Sequence, residues 1–561
     1  MLSFSFDSMH IVLAVLGTIM FAFSTAVSPE YFRGQKNNGR FIAFSAATYL
    51  ALMGVFLGAD FLTVFVFFEI MSFTSWTWVI HTETKEALRA AETYLYVAVA
   101  GGLIMLMGLF LIYSAAGTLR FDELSAVQFA IPSGTKFAAG LCIALGFGAK
   151  AGMFPLQIWM PRSYPAAPTP ATALLSSMLS KSGVFGIIAV TANLFPAGKE
   201  SAWGDTLLIL AVITMLMGAV LALFSKDLKR TLACSSMSQI GFILVGVAMY
   251  SILTEERGMA AAGATIHILN HSLIKQTLFV ASGVIFLNLG THSFDAIRGF
   301  GRGKPAFMIA FLAGACTVAG IPGFSGYISK TLLHEAIVEA GGYAWAEWLF
   351  LIAGGFTFAY MAKLVFLLLI AKPEKSTETG KPYCAWPTKV VIQLGTAAMV
   401  IGGLFPHAVM DRIAAVCAPF FRVDPMEEIR YFSLTNLKGS AISIGIGLVL
   451  FAIAFRGLPD LPRFLDMDNY FYRPLLKLLS LVGASFARLA EQAAALLVLG
   501  PMNLVFLKAP EKWTAPEEEN FGTYRKMKKG PLAQQLFDSD LMFAGAGILA
   551  FIIFALVMIA R

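Results

Sequence analysis

Charged residues are scarce in this chain. Lysine, arginine, aspartate and glutamate together make up 13% of its 561 residues, whereas hydrophobic residues make up 58%. Because soluble globular domains carry about 25% charged residues, this composition excludes a soluble globular domain. Runs of about twenty apolar residues alternate with short polar loops, which is the pattern of a helical membrane protein. The sequence therefore predicts an all-α polytopic membrane protein.

Cysteines and cofactor-binding motifs are also scarce. The five cysteines are scattered without a CxxC pair, which argues against a disulfide framework or an iron–sulfur cluster. No GxGxxG follows a strand pattern, no P-loop is present, and no soluble segment is long enough to hold a nucleotide or a flavin. We therefore expect no cofactor, no metal and no active site on this chain. Any redox chemistry or ATP hydrolysis that drives it takes place on partner chains.

About fourteen apolar segments have the length and composition of transmembrane helices. They are residues 9–27, 40–58, 60–80, 92–114, 137–160, 170–195, 206–225, 231–251, 260–289, 306–334, 345–371, 388–406, 439–456 and 540–560. We divide the chain accordingly into an N-terminal span (1–39), a core (40–371), additional spans (372–456), a more polar region (457–539) and a C-terminal anchoring span (540–561).

The polar region contains one stretch, 473–499, that is apolar apart from a stripe of charged and polar residues at helical spacing. The stripe consists of Arg473, Lys477, Ser480, Arg488 and Glu491. This amphipathic pattern predicts a lateral helix along the cytoplasmic surface of the membrane. The alternative is a fifteenth, weakly hydrophobic span.

Basic residues are concentrated in alternate loops, so the net charge of +7 does not indicate a nucleic-acid partner. The basic loops hold Arg33/Lys36/Arg40, Lys85/Arg89, Lys226/Lys229/Arg230, Arg298/Arg302/Lys304 and Lys372/Lys375/Lys381. The positive-inside rule makes these loops cytoplasmic, and an even number of spans then places both termini outside. We therefore expect a multi-pass protein of the cytoplasmic membrane. Without a signal-peptide pattern, its first span is retained. Within this pattern, Asp227–Arg230 (DLKR) is interpreted as a topology anchor.

Glycine and proline interrupt two of the predicted spans. Residues 146–161 surround Lys150, and residues 319–330 end at Lys330. Such residues release backbone groups from a helix, which is tolerated in a membrane only where protein or trapped water satisfies them. Paired interruptions indicate an inverted repeat around a transport path. We therefore expect two five-helix repeats, at 40–196 and 206–371, with the break in the fourth helix of each.

Seven ionisable residues lie inside the apolar stretches. They are Glu69, Lys150, Lys181, His267, His271, Lys275 and Lys330. One charge at the centre of a bilayer costs roughly 2.5–3.5 kcal/mol on insertion scales, so buried charges in a membrane protein indicate function. This set predicts movement of protons or small cations across the membrane.

Glu69 and Lys150 are interpreted as a switchable pair. Burial favours the neutral form of each side chain, whereas proximity of the two favours their charged forms. Movement of Glu69 therefore controls whether Lys150 keeps or releases its proton. The alternative is an ion pair that only locks two helices together.

His267, His271 and Lys275 recur every four residues, so they share one helix face and predict a proton relay. Lys181, within a serine cluster, is the expected acceptor between Lys150 and this face. Two alternatives are open for the histidines: a zinc site, since an i, i+4 pair can chelate zinc, or packing in the core.

Lys330 ends the series at the second break. His334 and Glu335 follow it and are a possible exit to the outer surface, or alternatively a solvated helix end.

Six stretches of residues 60–371 resemble the antiporter-like subunits shared by respiratory complex I, Mrp-type cation/proton antiporters and membrane-bound hydrogenases. In chain order they are FFEIMSF, GAKAGMFPLQIWMP, APTPATALLSSMLSK, DLKRTLACSSMSQIGF, HILNHSLIKQTLFVASG and AGIPGFSGYISK. The resemblance implies two inverted five-helix repeats and a chain of buried charges, in which the seven residues above match the family's proton-transfer positions. The chain departs from some distal subunits of complex I at Gly101–Gly102, where those carry an aspartate, and in having lysine at 181. These departures favour a hydrogenase-type or other complex-I-related assembly.

The leading hypothesis is a proton-translocating membrane subunit of a redox-driven, complex-I-like assembly, with other membrane subunits and a peripheral redox arm as partners. The runner-up is a subunit of an Mrp-type Na⁺/H⁺ antiporter without a redox partner. The third is a non-conducting structural subunit. No oxygen-rich cage of aspartate and asparagine is apparent, which favours H⁺ over Na⁺.

Overall fold

Apolar helices dominate the structure, a computed structural model that describes residues 2–195, 201–373, 383–427 and 429–455. Within these ranges only isolated β-bridges occur and no strand forms. The first helices are α1 (Ser8–Tyr31), α2 (Asn38–Leu57), α3 (Phe61–Val79), α4 (Lys85–Ala116), α5 (Phe121–Val127), α6 (Ser133–Ala151), α7 (Met160–Ala166), α8 (Thr169–Leu174) and α9 (Ser180–Leu194). They are followed by α10 (Ser201–Phe224), α11 (Leu228–Ile252), α12 (Arg257–Leu289), α13 (Pro305–Ala319), α14 (Ser325–Glu339), α15 (Ala344–Val365), α16 (Trp386–Leu404), α17 (Pro406–Cys417) and α18 (Leu434–Phe455).

Eleven continuous helical segments of the described chain are long and apolar enough to cross a membrane, and each coincides with a predicted span. Two further predicted spans, 137–160 and 306–334, are the broken ones, and each is built from separate helices. The fourteenth, 540–560, and the predicted lateral helix, 473–499, lie outside the described residues. The all-helical membrane architecture is therefore confirmed.

Capping side chains fix where three helices that carry site residues begin. The Asp60 carboxylate accepts a hydrogen bond from the Thr63 amide at the start of α3, at 2.7 Å. Thr84 caps α4 in the same way at 3.1 Å, and Asp227 caps α11 by accepting from the Arg230 amide at 2.8 Å. Each cap satisfies a helical N–H that has no intrahelical acceptor, which is typically worth about 1 kcal/mol.

Both breaks begin with the same backbone turn. The helix α6 ends at Gly152 with φ 80°, and α13 ends at Gly320 with φ 78°. The next amide after each glycine donates to a carbonyl five residues back, from Met153 to Gly148 and from Ile321 to Cys316. These are left-handed C-caps, which glycine forms without a Cβ clash. The predicted interruptions are confirmed, and they place helix-terminal carbonyls inside the bundle.

A π-helical turn, Leu175–Leu179, joins α8 to α9 within one continuous span. Such turns are rare and often lie at functional sites, because the wider ring changes the register of the side chains that follow. Lys181 lies two residues after this turn. Its span, Thr169–Leu194, and α11 are the two most deeply buried spans described, whereas α18 lies at the periphery.

Candidate functional site

The seven predicted residues lie on five helices. Glu69 is on α3, Lys150 on α6, Lys181 on α9 and Lys330 on α14, and α12 carries His267, His271 and Lys275. All except Glu69 are buried, with no side chain more than 9% exposed. Glu69 is partly exposed in the isolated chain.

Glu69 packs against Gly102 of α4. A Cβ atom at position 102 would lie 2.6 Å from Glu69 Oε1, closer than real carbon–oxygen contacts allow. The glycine that distinguishes this chain from some complex I subunits therefore provides the space that the carboxylate occupies. Oε1 is buried and has no hydrogen-bond partner among the described residues, so it is available to bind a proton or to accept a hydrogen bond.

Lys150 is held by an aromatic side chain. Its Nζ donates to the Tyr94 hydroxyl at 2.7 Å and lies 4.5 Å from the centre of the Tyr94 ring. Among the described residues no ion pair joins Lys150 to Glu69. The structure therefore shows the two predicted partners apart.

Tyr94 connects Lys150 to the helix that carries Glu69. Its hydroxyl shares a 2.6 Å hydrogen bond with Ser75 Oγ on α3, and Ser75 in turn donates to the Met71 carbonyl at 2.5 Å. A protonated lysine can only donate, so in that state the direction of the chain is fixed: Lys150 to Tyr94, Tyr94 to Ser75, and Ser75 to the backbone. A shift of α3 would act directly on this chain, because Ser75 lies on α3.

Lys181 and His271 form the closest contact in the series. Lys181 Nζ lies 2.6 Å from His271 Nδ1 and donates to the Ser176 carbonyl at 2.6 Å, within the π-helical turn. At this distance one of the two nitrogens holds the proton that the other accepts. His271 Nε2 is buried without a partner among the described residues, so the imidazole has a second nitrogen free for proton exchange.

Lys275 binds α11. Its Nζ donates to the Leu232 carbonyl at 3.0 Å and to Ser235 Oγ at 2.8 Å. Ser235 Oγ shares a further 2.8 Å hydrogen bond with the Tyr360 hydroxyl. Lys275 therefore reaches across from α12 to α11 and, through Ser235, to α15.

His267 leads from the central helix towards the second break. Its Nδ1 lies 2.9 Å from Ser329 Oγ, and its Nε2 lies 3.1 Å from Gln239 Oε1. Ser329 directly precedes Lys330, so α12 and α14 are joined beside the last lysine of the series.

Lys330 uses the backbone carbonyl exposed by the break. Its Nζ donates to Val318 O, in the last turn of α13, at 2.8 Å, and lies 4.6 Å from the Phe242 ring centre. Lys150 lies before the first break, whereas Lys330 lies after the second, so the two breaks carry their lysines on opposite sides.

A cavity of about 40 Å³ adjoins Lys330 and extends along α14 to His334. It is lined in part by the side chains of Tyr327, Thr331 and Asn436, and it is large enough for water. His334 Nε2 lies 3.2 Å from Glu347 Oε1 of α15. Glu335, the other predicted exit residue, is half-buried beside this route.

The described part of the chain contains no complete set of metal ligands, because no three His, Cys, Asp or Glu side chains come together there. His267 is occupied by Ser329 and Gln239, and His271 faces Lys181. A cation beside the Lys181 amine would be repelled whenever that amine is protonated.

Several residues at the site could not be identified from the sequence. Tyr94, Ser75, Gln239 and Ser329 are single polar residues in apolar helices, which sequence alone does not distinguish from packing residues. Lys229 lies in DLKR, for which the sequence alone favours the role of a topology anchor. The structure buries its side chain, and Lys229 Nζ donates to Ala167 O at 2.6 Å.

Comparison with known families identifies the family of the chain. Residues 58–358, more than half of the chain, match the family described as NADH:quinone oxidoreductase/Mrp antiporter, TM. The chain belongs to this family. The match includes both broken helices and all seven predicted residues, and it confirms the resemblance that the sequence motifs indicate.

Three curated relatives illustrate the range of the family. The chain is 32% identical over 336 residues to hydrogenase-4 component B of Escherichia coli (strain K12), covering 59% of this chain and 49% of that protein. It is 31% identical over 333 residues to a Na(+)/H(+) antiporter subunit of Alkalihalophilus pseudofirmus, covering 58% and 65%. It is 26% identical over 402 residues to an NADH-quinone oxidoreductase subunit of Desulforudis audaxviator, covering 69% and 78%. The alignments thus span about half of the first relative and just under two thirds of the second.

Two solved assemblies contain chains of the same fold. A chain of the Mrp complex from Dietzia sp. DQ12-45-1b superposes with a TM-score of 0.67 and 20% identity, covering 80% of this chain and 87% of that one. A chain of the membrane-bound sulfane sulfur reductase, an archaeal respiratory membrane complex, superposes with a TM-score of 0.65 and 22% identity, covering 77% and 84%. Both belong to multi-subunit membrane complexes, which is consistent with other membrane subunits as partners.

Proposed function

We propose that this antiporter-like membrane subunit translocates protons within a redox-driven, complex-I-like assembly of the hydrogenase or quinone-reductase type. The observation that carries the proposal is the series of buried titratable side chains that runs through both broken helices. Its central members, Lys181 and His271, are 2.6 Å apart. Proton transfer over such a distance needs no large movement, because donor and acceptor are already hydrogen-bonded.

The groups that the buried lysines bind argue against a purely structural role. A locking ion pair needs a carboxylate, yet in the described ranges no Asp or Glu oxygen lies within 4 Å of Lys150, Lys181, Lys275 or Lys330. Buried ammonium groups without counter-charges are costly, and neighbouring ones repel each other. The series therefore favours partial protonation and a mobile proton over a fixed set of charges.

In the proposed cycle, Glu69 controls the proton on Lys150. With Glu69 apart, Lys150 is held by Tyr94, as the structure has it. Approach of Glu69 would stabilise the ammonium form, and its withdrawal would favour release towards Lys181. Lys275, His271 and His267 lie in this order along α12 and share the proton. From His267 the proton passes to Lys330 and leaves by the cavity beside His334 and Glu335.

The proposed orientation follows from the basic loops, which place the DLKR end of α11 in the cytoplasm and the His334 end of α14 outside. Protons then leave at the outer face. Cysteine labelling tests this, with exposed Arg230 replaced by Cys on one side and exposed Trp348 by Cys on the other. A membrane-impermeant maleimide should label only position 348 in intact cells, and labelling of position 230 instead would reverse the direction.

Affinity purification of the tagged full-length chain from its native membranes tests the redox assignment. We expect soluble redox subunits to co-purify, and we expect the reconstituted complex to acidify one side when supplied with reductant and acceptor. Co-purification of only small membrane subunits, with Na⁺-dependent proton movement and no reductant, would support the antiporter alternative instead. The 31% identity to a Na(+)/H(+) antiporter component makes that the second candidate.

A further inference from the structure

Lys229 is a buried lysine that the proposed proton series does not use. It lies in the first turn of α11, where its side chain is 2% exposed. Its Nζ donates to the carbonyl of Ala167, in the connection between α7 and α8, at 2.6 Å. As with the lysines of the series, no carboxylate among the described residues forms an ion pair with it.

Lys229 lies close to the series along α11. Leu232, three residues further, provides the carbonyl that accepts from Lys275. At about 1.5 Å per residue this is a rise of only about 4.5 Å. Two turns along the same helix, Ser236 Oγ lies 2.7 Å from Ser176 Oγ, and the Ser176 carbonyl accepts from Lys181. Lys275 therefore binds α11 within one turn of Lys229, and Ser176, which binds Lys181, contacts α11 two turns from Lys229.

On its other side, Lys229 lies next to the surface formed by the basic loops, such as the one with Lys226 and Arg230, which we call the basic face. Arg230 is exposed, and Asp227, the N-cap of α11, is partly exposed. The groups that face Lys229 are the Asp227 carboxyl on its own element, His292 from the loop after α12, and the Ala167 carbonyl. Lys229 is thus the first buried base between this surface and the central lysines.

Two of these neighbours define the charge around Lys229. Burial raises the pKa of Asp227 above its usual range, against the opposing effects of the Arg230 amide and Lys229. Burial, together with the Lys229 ammonium, lowers the pKa of His292 to about 3. His292 is therefore neutral at physiological pH, and its Nε2 donates to the Ser282 carbonyl at 3.2 Å. Asp227 is the titratable group that can pass protons to Lys229.

We propose that Lys229 is the proton-uptake residue of the basic face, receiving protons from solvent by way of Asp227 and delivering them towards Lys275 and Lys181. This inference rests on the proposed function. In the rival interpretation, Lys229 only caps the carbonyl of Ala167 and fixes the end of α7. The two roles need different chemistry, because a cap requires only a cation that donates, whereas uptake requires a group that also releases its proton.

Three substitutions separate these roles: Lys229→Met, Lys229→Arg and Lys229→His. Arginine keeps the charge and can donate to Ala167 O, but it does not release its proton in proteins. Histidine titrates, with an ordinary pKa near 6.5. The control is Lys363→Arg at the same end of the bundle. Lys363 donates to the carbonyls of Leu223 and Ser225 at 3.0 and 3.2 Å, as a simple cap would.

The experiment uses the whole purified complex in vesicles, with the basic face towards the bath and proton movement followed at bath pH 6 to 8. We expect Lys229→Arg to assemble normally and to lower proton movement at least tenfold, as Lys229→Met does. Lys229→His should retain activity near pH 6 and lose it towards pH 8, because the imidazole is then no longer protonated from the bath. Lys363→Arg should behave like the unmodified complex.

Normal proton movement by Lys229→Arg, or a pH profile of Lys229→His like that of the unmodified complex, would overturn the uptake role. Failure of both variants to assemble would also overturn it, by assigning Lys229 a structural role. Lys181→Met in the same vesicles separates the two proposals. If Lys181→Met moves protons normally, the proposed function itself fails. If Lys181→Met is inactive while Lys229→Arg is active, only the uptake role of Lys229 is overturned.

Discussion

Among the described residues, the buried lysines of the proposed series bind neutral groups. Lys150 donates to a tyrosine hydroxyl, Lys275 to a serine hydroxyl and a carbonyl, and Lys330 to a carbonyl at a helix break. A neutral acceptor stabilises an ammonium less than a carboxylate does, so the cost of removing the proton stays small. At the scale of single residues, this is the property that a proton-transfer series needs and that a structural salt bridge lacks.

Tyr94 is expected to hold Lys150 when Glu69 is away. Replacing Tyr94 by Phe removes the one hydrogen-bond acceptor that Lys150 Nζ has among the described residues, and it leaves the ring contact in place. Loss of a hydrogen bond to a charged group costs about 1.5–3 kcal/mol, so proton movement should fall by about tenfold or more. The measurement is proton movement by the reconstituted complex.

Ser75→Ala is the matched control for Tyr94→Phe, because it removes the next link of the chain and leaves the Lys150–Tyr94 bond intact. It should have a smaller effect than Tyr94→Phe. Equal activity of Tyr94→Phe and the unmodified complex would remove Tyr94 from the mechanism.

Gly102 is expected to position Glu69. In Gly102→Ala the added methyl group would occupy the place of the Glu69 carboxylate and force it away. Proton movement should then fall to the level of Glu69→Gln. Gly445→Ala on α18 makes the same change where no described atom lies within 4 Å, and it should be silent. A fully active Gly102→Ala would show that the position of the carboxylate seen here is not required.

At the scale of helices, the sequence predicts the breaks better than it predicts what they do. Glycine and proline around Lys150 and before Lys330 identify both interruptions, because few other residues end a membrane helix. The sequence does not reveal that Lys330 binds the carbonyl of Val318 across the break, since that contact depends on how α13 and α14 fold back. The π-helical turn before Lys181 is likewise invisible, because Leu175–Leu179 has an ordinary helical composition.

Gly320 tests whether the second break needs its left-handed turn. A Cβ at this position would meet Lys330 Cδ at 2.9 Å, and its φ of 78° disfavours any L side chain. We expect Gly320→Ala to destabilise the protein by about 1–2 kcal/mol from the backbone alone and to disturb Lys330 as well. The thermal unfolding temperature and proton movement should both decrease.

Gly323→Ala is the control at the same break, because φ is 93° there but no described atom lies within 4 Å of the added Cβ. It should lower stability to a similar degree while preserving more proton movement. Equal loss of proton movement in both variants would attribute the effect to backbone strain instead of contact with Lys330.

At the scale of the whole molecule, the eleven continuous spans described were predictable because length and apolar composition suffice to define a membrane helix. The seven residues of the series were predictable because charge in an apolar stretch of sequence is conspicuous. Their connections were not, since the contacts of Lys150 with Tyr94 and of His267 with Ser329 join helices far apart in the sequence. The proposed inverted repeats and the position of the region after residue 455 still rest on the sequence pattern and the family.

The central claim is that the buried series moves protons, and Lys181→Met in the intact complex tests it most directly. The substitution keeps the length and packing of the side chain but removes the nitrogen that contacts His271 at 2.6 Å. Assembly is followed by co-purification of the partner subunits, and proton movement by a pH-sensitive dye in reconstituted vesicles. We predict that the complex assembles in full while proton movement falls at least tenfold. Proton movement equal to that of the unmodified complex, or loss of assembly in place of transport, would contradict the account.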